Sequence, residues 1–145
     1  MKSVIKVMIV ALAIPIWSPS SFAEPPSTLS AAIEKVLNFS TFDPSLIDKS
    51  GSILVISGGT RRSYSVDQQA AYVARRLKER TAPSIGNFKV LGEIDALPYA
   101  TVVYQYDLVS VVDGKTTSTT SVASDVWENT PSGWLRLSTV IHREH

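Results

Sequence analysis

Two long runs rich in β-branched residues, Thr101–Val112 and Lys115–Trp127, meet at Asp113-Gly114, and this junction restricts the fold more than any other feature. Asp-Gly between alternating runs tolerates positive φ at both central positions, so it predicts a two-residue type I′ hairpin. A two-residue loop also fixes the register. Val102 then faces Asp125, Tyr104 faces Ala123, Tyr106 faces Ser121 and Ala100 faces Trp127. One face carries Val102, Tyr104, Tyr106, Leu108, Asp125 and Trp127. The other carries Val103, Val109, Val111, Val122 and Val126, with Gln105, Asp107 and Ser124. The valine-rich face is expected to pack against helices, and the aromatic face to form a ligand cleft or a dimer surface. A β-bulge would exchange the faces of everything beyond it.

The rest of the chain can be placed around this hairpin. Phe88, Val90, Ile94 and Ala96 alternate with Lys89, Glu93 and Asp95 in a preceding strand, and Trp134–Arg143 forms the last strand after a turn through Asn129–Gly133. Further upstream, Ser52–Ser57 reads as a strand that Gly58-Gly59 turns back into Arg61–Tyr64. Leu29, Ala32, Ile33, Val36 and Leu37 follow helical spacing. Asp43-Pro44 opens a short helix through Leu46 and Ile47. The capping box Ser65-Val66-Asp67-Gln68 begins a third helix whose buried face is Val66, Ala70, Val73, Ala74 and Leu77. The order α-α-β-β-α-β-β-β-β predicts an α+β domain, with a cone-shaped, curved antiparallel sheet and three helices on one face.

The N-terminus reads as a targeting segment. Lys2 and Lys6 flank the start of the apolar run Val7–Ile14, and Ser21 and Ala23 place small residues before Glu24. Residues 1–23 are expected to be a cleaved signal peptide and residues 24–145 a single domain, periplasmic or secreted. The apolar run falls short of the roughly 20 residues that span a bilayer, so no permanent membrane anchor is expected. With Cys 0 in the composition, disulfide frameworks, cysteine metal sites and thiol nucleophiles are excluded. His142 and His145 are three apart on a strand and point to opposite faces, so no metal is expected. Ser57-Gly58-Gly59-Thr60 lacks the lysine and helix start of a phosphate loop, and no cofactor is expected. The chain carries a formal net charge of +1, and losing Lys2 and Lys6 leaves it near neutral, which argues against a nucleic-acid partner. Arg75, Arg76, Lys78 and Arg80 sit where a helix C-terminus favours cations, and read as a solvated face.

The element order, with Ser57-Gly58-Gly59 before the third helix, Asp125-Val126-Trp127, and Gly133-Trp134 opening the last strand, resembles the nuclear transport factor 2-like superfamily. Within it, the chain is most similar to the SnoaL-like group of small bacterial domains, over about residues 27–143. The resemblance implies a cystatin-like cone and is informative about fold more than activity. Asp125 amid Tyr104, Tyr106 and Trp127 is the acid/base candidate. Desolvation raises such a carboxyl's pKa and a tyrosine hydroxyl stabilises an oxyanion, a pairing similar to that in ketosteroid isomerase, which shares the superfamily fold. Three functions follow from these residues. The favoured one is a noncatalytic binding or accessory domain that holds a small apolar or aromatic molecule on Val102, Tyr104, Tyr106 and Trp127. The others are a cofactor-free isomerase, cyclase or dehydratase using Asp125 beside a carbonyl, and an assembly module whose open sheet pairs with a second copy or with a periplasmic partner. A homodimer through the sheet is expected in each case.

Overall fold

The computed structural model describes residues 28–144, so the expected leader over residues 1–23 and the terminal His145 lie outside the described residues. Helix α1, Leu29–Leu37, starts where Thr28 Oγ1 accepts from the Ala31 N–H at 3.2 Å, and it buries Leu29, Ala32, Ile33 and Val36 as its spacing predicts. Two single 3-10 turns follow, Phe39–Thr41 and Pro44–Leu46. Asp43 does cap the second, its Oδ1 accepting from the Ser45 N–H at 3.0 Å. The short helix expected to reach Ile47 is instead one turn, because Ile47 opens strand β1, Ile47–Ser57, by pairing with Arg136 of the last strand. A β-branched residue offered a ladder partner leaves the helix, where its χ1 freedom is more restricted.

Gly58 and Gly59, at φ 53° and 77°, turn β1 into β2, Thr60–Tyr64. Helix α2, Val66–Lys78, opens with the reciprocal capping box: Gln68 N–H donates to Ser65 Oγ at 3.2 Å and Ser65 N–H to Gln68 Oε1 at 2.9 Å. Val66 and Val73 are buried, whereas Ala74 and Leu77, expected inside, are exposed. The side of α2 turned to the sheet looks largely onto a cavity and not onto packed side chains.

Strands β3 (Ser84–Ala96), β4 (Tyr99–Val112), β5 (Lys115–Thr130) and β6 (Gly133–Arg143) complete a six-stranded sheet of order β2-β1-β6-β5-β4-β3. Its neighbours run antiparallel except β1 and β6, which are parallel, so the sheet is mixed where a wholly antiparallel one was expected. The long connection through α2 and four strands allows this, since parallel partners need a crossover and not a tight turn. Asp113 and Gly114 take φ 50° and 73°, and the hairpin register runs unbroken from Val112↔Lys115 to Tyr99↔Glu128, including the Val102↔Asp125 pair.

The helices cover the aromatic face and not the valine-rich one expected. Ala100, Val102, Tyr104, Tyr106, Ala123 and Trp127 join Leu29, Ala32, Ile33 and Val36 of α1 in one core. Val103, Val122 and Val126 lie half-buried on the outer face, and Val111 is exposed. Aromatic side chains bury roughly 150–250 Å² each, so turning them under α1 removes more apolar surface from water than turning the valines there. Valine suits the pleated, half-exposed outer side.

Candidate ligand cavity

The inner face of β6 is set by a bulge. Its pairing with β5 steps from Val126↔Ser138 to Trp127↔Arg136, which leaves Leu137 opposite no residue. Thr139, Ile141 and Arg143 alternate inward, and the extra residue brings Arg136 to the same side. The parallel pairing with β1 is irregular at the same level, between Ile47↔Arg136 and Ser52↔Ser138. There Asp48 accepts from the Ser50 N–H at 2.7 Å, and Gly51 lies so near the Leu137 carbonyl that a Cβ would sit 3.0 Å from that oxygen.

Between α2 and this inner face lies a cavity of about 720 Å³, with Val36, Ile53, Tyr72, Leu108, Tyr106 and Ile141 in its wall. Phe39 meets the Tyr72 ring edge-on at a centroid distance of 5.9 Å. The guanidinium groups of Arg75 and Arg76 lie 5.7 and 5.9 Å from the centroid of the same ring, so these two cations are engaged by an aromatic face as well as by the helix dipole. Arg136, only 2% exposed, donates from Nη2 to Gln69 Oε1 at 3.0 Å, which ties β6 to α2 across the cavity.

Of the residues singled out in the sequence, Tyr106 lies on the cavity wall, whereas Val102, Tyr104, Asp125 and Trp127 do not. These four are packed in the core, with Tyr104, Asp125 and Trp127 at 0% exposure. Tyr104 stacks at a tilt between Phe88 and Tyr106, with centroids 5.5 and 5.9 Å away. Its hydroxyl donates to Asp125 Oδ2 at 2.8 Å. The other carboxylate oxygen, the Trp127 indole N–H and the Thr139 hydroxyl are all buried beside one another without a completed hydrogen bond. Burial pushes the Asp125 carboxyl up from its ordinary value, while the Arg136 charge and the Thr139 and Tyr104 hydroxyls pull against it. Burial and the neighbouring Asp125 charge hold Tyr104 well above the usual phenol value, and burial also raises Tyr106, opposed by the Arg143 charge. Tyr104 and Asp125 are thus hydrogen-bonded inside the core, off the cavity wall.

Sequence reasoning missed Arg136, Gln69 and Tyr72. Strict alternation back from Thr139 puts Leu137 and Leu135 inside, so the bulge hides Arg136 from any period-two reading. A signal did exist on α2, where Gln69, Tyr72 and Arg76 share a stripe at i, i+3, i+7 beside the apolar one. Among the described residues, no group of His, Asp and Glu is placed to hold a metal ion, and no helix is long and apolar enough to cross a membrane.

A curved, unclosed sheet cupping helices and a cavity defines a class of small α+β domains. No family model and no curated protein matches the sequence. Solved structures do match. A nuclear transport factor 2-like protein with a cystatin-like fold from Novosphingobium aromaticivorans is 17% identical, with 77% of this chain and 70% of that one covered and a TM-score of 0.53. A ketosteroid isomerase-like protein from Erwinia carotovora atroseptica is 12% identical over 86% of this chain and 99% of that one, with a TM-score of 0.57. A nuclear transport factor 2-like superfamily protein from Salmonella enterica is 19% identical over 77% and 84%, with a TM-score of 0.55. The chain has the nuclear transport factor 2-like, cystatin-like fold.

Proposed function

We propose that this chain is an exported, SnoaL-like binding domain that holds a small apolar or aromatic molecule in the cavity under α2, without a cofactor. The supporting observation is the cavity itself. Its volume of about 720 Å³ falls within the roughly 300–1,000 Å³ of small-molecule sites, and its wall combines aliphatic and aromatic side chains with Gln68, Gln69 and four arginines. In this reading Tyr106 touches the ligand, while Val102, Tyr104 and Trp127 form the packed support behind it. Asp125 is the base of the acid/base alternative. Its full burial away from the cavity wall argues for a binding role over a catalytic one.

The domain forms a homodimer in this proposal, through the outer face of the sheet, where Ile94, Tyr99, Val103, Val122, Val126 and Val140 present apolar surface and Ile94 is 72% exposed. Exposed apolar side chains on an open sheet face favour pairing with a second copy. Native mass spectrometry of protein purified from its own host tests the whole proposal. The expected species is two chains beginning at Glu24, carrying a small-molecule mass that is lost on denaturation. Retention of Met1 contradicts export, a single chain contradicts the dimer, and an empty domain contradicts ligand holding.

A further inference from the structure

The formal charge on the cavity wall is all of one sign. Arg62, Arg75, Arg136 and Arg143 line it, and no Asp or Glu among the described residues does. Arg62 and Arg75 are exposed, so water and counterions serve them. Arg136 differs. It is 2% exposed, its one formed hydrogen bond among the described residues goes to the neutral amide oxygen of Gln69, and its Nε is buried with no partner. A guanidinium carries five N–H donors in a rigid fork. With one formed hydrogen bond, to a neutral acceptor, most donors of this buried fork stay unsatisfied unless an anion completes the site. The buried carboxylate that acts on Arg136 through space, Asp125, accepts its formed hydrogen bond from the Tyr104 hydroxyl. The guanidinium Nε of Arg143, further along the same inner face of β6, is likewise buried and unpartnered.

Resting on the binding role proposed above, we infer that the natural ligand is an organic anion, a carboxylate on an apolar or aromatic body, with its acid group bound by the Arg136 fork. Gln69 holds the fork in place from α2. The apolar body then lies against Ile53, Tyr106, Leu108 and Ile141, which share the wall with Arg136. Planar two-pronged recognition of a carboxylate is what a guanidinium provides and an ammonium does not. The bulge at Leu137 is what makes this possible, because it puts an arginine where unbroken alternation would put a leucine.

The test uses a matched pair of fluorescent probes, naphthylacetate and naphthylethanol, which share a ring system and differ in the acid group. Both are titrated into the full-length mature protein and into the variants Arg136→Gln, Arg136→Lys and Arg143→Gln. The wild type is expected to bind naphthylacetate at least about 10-fold more tightly than naphthylethanol, the difference one charge-assisted contact supplies. Arg136→Gln should remove that preference, so that the variant binds the two probes within about 2-fold of each other. Arg136→Lys should keep part of the preference, and this variant together with the wild-type ratio decides the matter if Arg136→Gln does not fold. Equal affinity of the wild type for both probes overturns the anion assignment while the cavity reading stands. A preference that survives Arg136→Gln but vanishes in Arg143→Gln overturns the role of Arg136. Failure of both probes to bind the wild type overturns this inference and the binding role beneath it.

Discussion

Asp125 shows at the residue scale how far parity along a strand reaches. The Asp113-Gly114 turn places it opposite Val102 and on the face of Tyr104 and Trp127, as the structure bears out. Parity does not say which face the helices cover, and the carboxylate proves to be fully buried. Its replacement is therefore not neutral. Burial is the dominant influence and favours the uncharged acid, so the folded pKa lies above the ordinary 3.8. The folded chain holds this proton to higher pH than the unfolded chain. Its contribution to stability is complete below the ordinary value and is lost as pH rises through the folded one. Asp125→Asn keeps an oxygen for the Tyr104 hydroxyl and cannot ionise. Urea unfolding at a series of pH values should show the wild type losing stability relative to Asp125→Asn as pH rises above 3.8. A gap that stays constant, or that moves the other way, would show that Arg136 and the hydroxyls outweigh burial.

At the scale of elements, the local devices were readable and the long-range pairings were not. The α2 capping box, the two glycine-bearing hairpins and the apolar stripe of α1 each depend on residues within a few positions of one another. The parallel β1–β6 ladder joins the first strand to the last, and nothing within either segment specifies its partner. Ile47 follows a helix-starting Asp-Pro and becomes a strand residue because β6 is there to pair with it. Gly51 marks where this ladder is most tightly built. A Cβ there would meet the Asp48 carbonyl oxygen at 2.7 Å and the Leu137 oxygen at 3.0 Å, both backbone atoms that cannot rotate away. Gly51→Ala is expected to destabilise the domain by about 1–3 kcal/mol, the usual cost of forcing an extra carbon into a packed site. The midpoint of denaturant unfolding measures it, and an unchanged midpoint would mean that the two irregular segments shift apart freely. Because Leu137 belongs to the bulge that turns Arg136 inward, the same substitution should also weaken binding of an anionic probe.

For the molecule as a whole, the order of elements was enough to infer a curled sheet with an unfilled side, and the structures it matches share that fold. The position of the cavity was not inferable, because it depends on where α2 stands off the sheet and on a bulge that breaks the alternation of β6. The aromatic residues that seemed suited to a ligand are mostly core, and the wall is built from Tyr106, α2 and the β1–β6 pair. The central claim is that this cavity is where the protein holds a small molecule, and Ala71 offers direct access to it. Ala71 lies on α2, lines the cavity and is exposed, so a large side chain can be introduced there without disturbing the core. Ala71→Trp should change stability by no more than about 0.5 kcal/mol, as exposed substitutions do, while occupying space the ligand needs. Titration of naphthylethanol should show saturable binding of one molecule per chain in the wild type and at least about 10-fold weaker binding in Ala71→Trp, a loss on the order of 1.4 kcal/mol. Equal binding by the two proteins would place the ligand elsewhere and contradict the account.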